Sequence, residues 1–130
     1  MAQETIGFVG VGLMGQGMAK NIVEKGFPLT VMAHRNRAPI DDLVRRGASE
    51  AKSLREIAEK SSIVFLCVTG SREVEAVIRG KDGLKAGLKP GSIVIDCSTA
   101  DPTSTVALAE ELAAAGIGYA DAPLGGTPVQ

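Results

Sequence analysis

The chain has 130 residues, of which 14 are Lys or Arg and 15 are Asp or Glu, so its formal net charge is −1. This balance argues against a nucleic-acid partner, because such proteins typically carry a basic excess. The hydrophobic share of 45% is sufficient for a core and argues against a chain that is disordered throughout. The length predicts one domain that spans residues 1–130.

Targeting and redox features point to the cytoplasm. No apolar run approaches the ~18 residues of a membrane span, so we expect no membrane partner. A secretion signal has a basic segment before its apolar stretch, and no such segment precedes the first apolar stretch here. Two cysteines, Cys67 and Cys97, are too few for a disulfide scaffold and fit a reducing compartment. With a single histidine, they also cannot form a zinc site, so no metal is expected.

Short apolar runs alternate with segments of helical periodicity along the chain. The runs predict six strands, at residues 5–10, 29–33, 48–51, 62–69, 92–98 and 117–123. Five helices are predicted between them, beginning near residues 13, 39, 53, 71 and 101. Ser53 and Glu56 have the spacing of a capping box for the third helix. Residues 81–91 predict a turn-rich loop.

This alternation dictates a mostly parallel sheet with helices on both faces, in three α-β-α layers. The crossovers between parallel strands are expected to be right-handed. The continuous apolar runs at residues 62–69 and 92–98 are typical of strands buried on both faces. The predicted fold class is therefore α/β, with a doubly wound, mostly parallel sheet.

A glycine-rich segment joins the first strand to the first helix. It reads Gly10-Val11-Gly12-Leu13-Met14-Gly15, which is G-x-G-x-x-G in the strand–turn–helix context that makes this pattern specific. Gly10 permits the tight turn, Gly12 lets the backbone approach a pyrophosphate, and Gly15 allows close packing of the helix on the strand. The free N–H groups and the dipole of the helix N-terminus then bind the anion. The segment predicts a Rossmann-type dinucleotide site; the alternative is a tight turn without a ligand.

The residues that follow the second strand indicate which dinucleotide is bound. An NAD site usually has Asp or Glu about 20 residues after the glycine loop, to bind the ribose 2′-hydroxyl. Here Arg35 occupies that place, flanked by His34 and Asn36, and the next carboxylate is Asp41. A guanidinium forms bidentate hydrogen bonds with a phosphate, and Asn36 adds a donor. We therefore predict NADP, with NAD less favoured; the alternative is a solvated basic turn. His34 is interpreted as an adenine neighbour or an exposed loop residue rather than a catalyst.

Three further strand ends carry small or polar residues, and ligands of open α/β sheets bind at this edge. Val68 and Thr69 end the fourth strand, and Ser98 and Thr99 end the fifth. The hydroxyls of Ser98 and Thr99 can meet a nicotinamide or a substrate carboxylate; the alternative is that they cap the following helix. After the sixth strand, the N–H groups of Gly125 and Gly126 can bind an anion.

Four other residues near this edge are interpreted as structural. Asp96 and Asp121 are expected to bond to neighbouring backbone. Cys67 and Cys97 are interpreted as small core residues rather than reactive thiols.

Three blocks of sequence resemble the β-hydroxyacid dehydrogenases, which include 3-hydroxyisobutyrate dehydrogenase, tartronate semialdehyde reductase and, more distantly, 6-phosphogluconate dehydrogenase. The blocks are FVGVGLMGQGMAKNI (8–22), GLKPGSIVIDCST (87–99) and DAP followed by glycines (121–126). The resemblance implies a small hydroxy-acid or semialdehyde substrate, and homo-oligomers for the full-length parent. It implies the following site residues: Gly10, Val11, Gly12, Leu13, Met14 and Gly15 for the dinucleotide; Arg35 and Asn36 for its 2′-phosphate; Val68, Thr69 and Thr99 for the nicotinamide side; and Ser98, Gly125, Gly126 and Thr127 for the substrate.

Two departures from the family pattern bear on the reaction. The family commonly has Ser-Gly-Gly in the substrate loop, where this chain has Gly125-Gly126-Thr127. The family's general acid/base lysine lies in a carboxy-terminal helical domain, beyond Gln130, so no catalytic residue is assigned within this chain. We expect the chain alone to bind the cofactor and to turn over substrate poorly. Two alternatives stay open: the amino-terminal domain of an imine reductase, and a non-catalytic dinucleotide-binding module.

Overall fold

The computed structural model describes residues 5–10, 13–32, 38–67, 71–97 and 102–121. It contains six strands, β1 (Ile6–Val9), β2 (Leu29–Val31), β3 (Ser49–Glu50), β4 (Ile63–Leu66), β5 (Ile93–Asp96) and β6 (Gly118–Asp121). The helices of the described residues are α1 (Leu13–Glu24), α2 (Ala38–Arg45), α3 (Leu54–Lys60), α4 (Ser71–Arg79), α5 (Leu84–Gly87) and α6 (Pro102–Ala114). No described helix combines the length and the apolar character needed to cross a membrane.

The strands form one sheet in the order β3-β2-β1-β4-β5-β6, and every pairing is parallel. This arrangement confirms the predicted α/β, Rossmann-type fold. From β1 the chain steps outward through β2 to β3, returns to the far side of β1, and then steps outward through β4, β5 and β6. Because right-handed crossovers in opposite directions place their helices on opposite faces, α1 and α2 cover one face and α3 to α6 cover the other.

The two faces contain separate apolar cores. On the α1–α2 face, Phe8 and Val31 of the sheet pack with Ile40 and Leu43 of α2. Phe8 also stacks on Phe65 of β4, with 5.9 Å between ring centroids. The core of the α3–α6 face is larger and includes Ile57, Val64, Leu66, Val74, Ile78, Leu84, Val94, Leu108 and Leu112.

Two sequence-based expectations about the β5 region were wrong. The segment 81–91 was predicted to be a loop, yet it contains α5, whose Leu84 and Gly87 are buried. A Cβ at Gly87 would collide with the carbonyl oxygen of Arg55, so glycine is what lets α5 lie against α3. β5 was predicted to be buried on both faces, yet Ile93 is 41% exposed. The cluster of the α1–α2 face takes its sheet residues from β1, β2 and β4, so this end of β5 lies beyond it.

The ends of the helices follow their local sequence closely. Ser53 caps α3 as predicted, by accepting a hydrogen bond from the Glu56 N–H at 3.1 Å. The Glu56 carboxylate accepts from the Lys52 N–H instead of completing the capping box at Ser53, with a distance of 2.7 Å. Gly26, Gly47 and Gly116 follow α1, α2 and α6 with positive φ, the conformation that ends a helix.

Gly7, in the middle of β1, is a site of close backbone approach. A Cβ there would lie 2.6 Å from the Ser61 hydroxyl oxygen and would also collide with Ile57 Cγ2. We expect Gly7→Ala to lower the free energy of unfolding by about 1–3 kcal/mol, because α3 would have to move away from the sheet. Gly17, on the exposed side of α1, is the control, since a Cβ there meets nothing within 4 Å. Urea titration measures both variants, and Gly17→Ala should raise the free energy of unfolding by up to ~1 kcal/mol. A Gly7→Ala variant as stable as the wild type would contradict the packing of α3 on β1.

Glu111 links α6 to the two helices before β5. Its carboxylate lies 3.1 Å from Lys85 Nζ and 2.9 Å from Arg79 Nε. The hydrogen bond from Lys85, and then that from Arg79, hold the pKa of Glu111 below its ordinary 4.5. A depressed carboxyl pKa stabilises the fold at pH values above the ordinary one, and this contribution is lost as the pH falls through the folded-state value.

We therefore expect Glu111→Gln to lower stability by about 1 kcal/mol or less at neutral pH, since the pair is partly solvated. The difference from the wild type should vanish in acid, below the folded-state pKa. Thermal melts across pH measure this effect, with Glu110→Gln on the same helix as the control. A loss that stays constant into acid would show that Glu111 acts through packing and not through its charge.

Candidate functional site

The carboxyl ends of four strands lie at the same level on one edge of the sheet. The register pairs Val9 with Leu66, Leu66 with Asp96, and Asp96 with Asp121. The ladder continues one residue further: the Cys67 N–H donates to the Val9 carbonyl at 2.9 Å, and the Cys97 N–H donates to the Leu66 carbonyl at 2.7 Å. The segments that follow these strands therefore all start from one line across the sheet.

The chain leaves this edge in opposite directions on the two sides of β1. β1 is followed in sequence by β2 on one side, whereas β4 lies on its other side and leads away to β5 and β6. This is the switch point of a doubly wound sheet, where the two connections diverge and leave a crevice. Ligands of open α/β sheets bind in such a crevice, outside the carboxyl ends of the strands.

Gly10 and the start of α1, on either side of Val11 and Gly12, have features that an anion site needs. Gly10 has φ of +88°, a value that favours glycine, and α1 begins three residues later at Leu13. The free N–H groups at the start of α1 thus lie at the switch-point edge. The first turn of α1 contains no acidic residue that would repel a phosphate, and neither does the first turn of α6. These features fit the pyrophosphate of a dinucleotide.

Asp96 is a buried carboxylate at the end of β5, and it has no solvent exposure. The Tyr119 hydroxyl on β6 donates a hydrogen bond to its Oδ2 at 2.5 Å. The sequence predicts bonds from Asp96 to neighbouring backbone and gives no sign of this side-chain partner. Tyr119 was not singled out, because its contact depends on the β5–β6 register, which pairs it with Val94.

The two cysteines directly follow the paired ends of β4 and β5, and neither forms a disulfide bond. Cys97 is buried, and Cys67 is partly buried against the core of the α1–α2 face. Burial, and then the nearby charge of Asp96, raise the pKa of the Cys67 thiol. Less thiolate is therefore present at neutral pH than for an exposed cysteine, which fits a packing role better than a nucleophilic one.

Four predicted site residues fall within the described part of the chain, and the others lie outside it. Gly10 directly follows β1, and Leu13, Met14 and Gly15 form the first turn of α1, where the sequence predicts the helix to begin. The remaining predicted residues lie outside the described ranges: Val11, Gly12, His34, Arg35, Asn36, Val68, Thr69, Ser98, Thr99, Gly125, Gly126 and Thr127. In sequence, Val68 follows Cys67, and Ser98 follows Cys97, so both segments leave from the aligned strand ends.

A shallow depression of about 440 Å³ lies at the opposite, amino edge of the sheet. Its lining includes Thr5, Lys60, Ser62, Lys89 and Ser92. Thr5 and Ser62 bond to one another there through both backbone and side chain. Among the described residues, no glycine-rich strand-to-helix turn lies at this edge, and ligands of open α/β sheets bind at the carboxyl edge, so we do not assign an anion site here. The described residues also contain no cluster of three His, Cys, Asp or Glu side chains that could hold a metal ion.

Comparison with known proteins gives matches over nearly the whole chain. Residues 5–130 match the family model for the NAD binding domain of 6-phosphogluconate dehydrogenase. An NAD-dependent L-serine dehydrogenase from Pseudomonas aeruginosa is 36% identical over 121 residues, which are 93% of this chain and 40% of that protein.

Solved structures agree with these matches. The 3-hydroxyisobutyrate dehydrogenase of Salmonella typhimurium superimposes with a TM-score of 0.87 at 30% identity, covering 98% of this chain and 44% of that one. Psf3, solved with NADP+ and 2-OPP, superimposes with a TM-score of 0.81 at 34% identity, covering 88% of this chain and 40% of that one. The chain thus spans less than half the length of these proteins.

The matched region includes the switch point, the glycine turn and the aligned strand ends, so sequence and geometry agree. The chain belongs to the family of NAD-binding domains of 6-phosphogluconate dehydrogenase and the related β-hydroxyacid dehydrogenases.

Proposed function

We propose that this chain is the NADP-binding domain of an oxidoreductase that moves a hydride between the nicotinamide and a short 3-hydroxy acid or semialdehyde. The observation that carries the proposal is the carboxyl edge at the switch point. There, Gly10 has a positive φ and α1 starts three residues later at Leu13, an arrangement that suits a pyrophosphate. Because the chain belongs to a family of NAD-binding domains, we take the anion to be the pyrophosphate of a nicotinamide dinucleotide.

The two halves of the cofactor are assigned to the two sides of β1. The adenosine half extends over β2, whose carboxyl end lies beside that of β1 through the pairing of Phe8 with Val31. Arg35 and Asn36 follow β2 in sequence and are proposed to bind the 2′-phosphate. His34 is proposed as a neighbour of the adenine.

The nicotinamide half extends over β4 and β5. Val68 and Thr69, directly after Cys67, and Thr99, shortly after Cys97, are proposed to line the ring. The register that aligns Leu66 with Asp96 supports this assignment, because it starts both segments at the same level. Ser98, with Gly125, Gly126 and Thr127, is proposed to face the substrate.

The bound cofactor supplies the hydride, and this domain supplies binding and orientation. A proton must also move at the substrate hydroxyl, and no residue among 1–130 is assigned to that task. We place the general acid or base in the part of the protein that the matched relatives have outside the shared region. The chain alone is therefore expected to bind NADP without sustaining turnover.

The proposed preference for NADP needs its own test, because related proteins differ in their cofactor. The L-serine dehydrogenase is named as NAD-dependent, whereas Psf3 was solved with NADP+. No carboxylate stands between Arg35 and Asp41 to bind a ribose 2′-hydroxyl. A charge-assisted hydrogen bond is worth ~1.5–3 kcal/mol, so NADPH should bind roughly 10- to 100-fold more tightly than NADH.

Calorimetric titration of the 130-residue chain with each cofactor measures this preference. Arg35→Ala should remove it by weakening NADPH binding alone. Arg45→Ala is the matched control, because Arg45 is an exposed arginine in the last turn of α2. Equal affinity of the wild type for both cofactors would overturn the assignment of Arg35. A chain that binds neither cofactor would overturn the proposed function.

A further inference from the structure

The contact between Asp96 and Tyr119 joins β5 to β6 at the carboxyl edge. The two residues lie on adjacent strands, two positions apart in register, because Val94 pairs with Tyr119 and Asp96 pairs with Asp121. Both side chains lie on the face covered by α3 to α6, where Tyr119 packs against the core. The phenol thus reaches along the strands toward the edge, where its hydroxyl donates to the carboxylate.

Asp96 is an unusual residue for its place in the sheet. Within the described ranges, the buried polar or charged residues are Thr30, Ser61, Ser92 and Asp96, and Asp96 is the one carboxylate among them. At the same level of the sheet, β1 has Val9 and β4 has Leu66, both buried and apolar, whereas the edge strand β6 has Asp121. An apolar residue would therefore continue the pattern of β1 and β4 on the inner side of β5.

Stability alone does not account for a carboxylate there. Removing a carboxylate from water is costly, and replacing buried ionic groups with apolar ones of similar volume is often neutral or stabilising. A buried carboxylate does, however, fix the geometry around it, because it accepts hydrogen bonds in several directions that must all be met. Its charge also reaches the end of β4, where it contributes to the raised pKa of the Cys67 thiol.

We propose that Asp96 is a positioning residue for the nicotinamide half of the cofactor. Held by the Tyr119 hydroxyl, its carboxylate fixes the carboxyl end of β5 at Cys97, from which the sequence continues to Ser98 and Thr99. Asp96 itself is fully buried, so it acts through the end of β5 and not by touching the cofactor. The inference rests on the proposed function, and it adds a residue pair that acts on one half of the bound dinucleotide.

The test compares NADPH with 2′-phospho-ADP-ribose, which lacks the nicotinamide ring. Tyr119→Phe removes only the hydroxyl and retains the aromatic packing. It should weaken NADPH binding roughly tenfold, the size expected when a hydrogen bond to a charged group is lost. Binding of 2′-phospho-ADP-ribose should stay within about twofold, because its contacts lie on the β1–β2 side. Asp96→Asn should show the same selectivity.

A control separates positioning from general destabilisation. Ile57→Val removes one methyl group from a buried side chain of α3, away from the carboxyl edge. It should not change the affinity for one ligand relative to the other. If Tyr119→Phe changes the two affinities equally, or changes neither, the positioning role is wrong while the proposed function stands. If the wild type binds neither ligand, the proposed function itself is wrong.

Discussion

The parallel pairing of β1 with β4 is the constraint on which the rest of the structure depends. It brings together strands that are more than 50 residues apart in the chain, from Ile6 opposite Ile63 to Val9 opposite Leu66. The pairing reverses the direction in which the sheet grows and so creates the switch point. It also fixes which face each helix covers and aligns the strand ends from which the proposed binding segments leave. Close packing of α3 at Gly7 keeps this central strand in place.

Much of this architecture could be predicted from local sequence. Apolar runs and glycine stops located the six strands and most of the helices, and the position of Gly10 between a strand and a helix predicted a dinucleotide site there. Short elements were harder, because α5 has only four residues and depends on the contact of Gly87 with α3. The exposure of Ile93 was also missed, because it depends on how far the opposite core extends along the sheet.

The site shows the same division between local and long-range information. The glycine-rich segment 10–15 and the basic segment around Arg35 are contiguous in sequence, so they can be recognised without a structure. The contact between Asp96 and Tyr119 crosses 23 positions in the chain. It depends on strand register and side-chain direction, and neither residue lies in a motif that specifies the other. Local patterns therefore predicted the cofactor class, while the contact between Asp96 and Tyr119 could be found only from the fold.

We propose that a nicotinamide dinucleotide binds at the carboxyl edge of this sheet. Backbone amide chemical shifts of the labelled chain, recorded with and without NADPH, test this location. We expect the largest changes at Gly10, in the first turn of α1, and at Cys67 and Cys97. Amides at the amino edge, such as those of Ser62 and Gly91, should stay unchanged. Changes concentrated at the amino edge, or none at saturating NADPH, would contradict binding at the carboxyl edge.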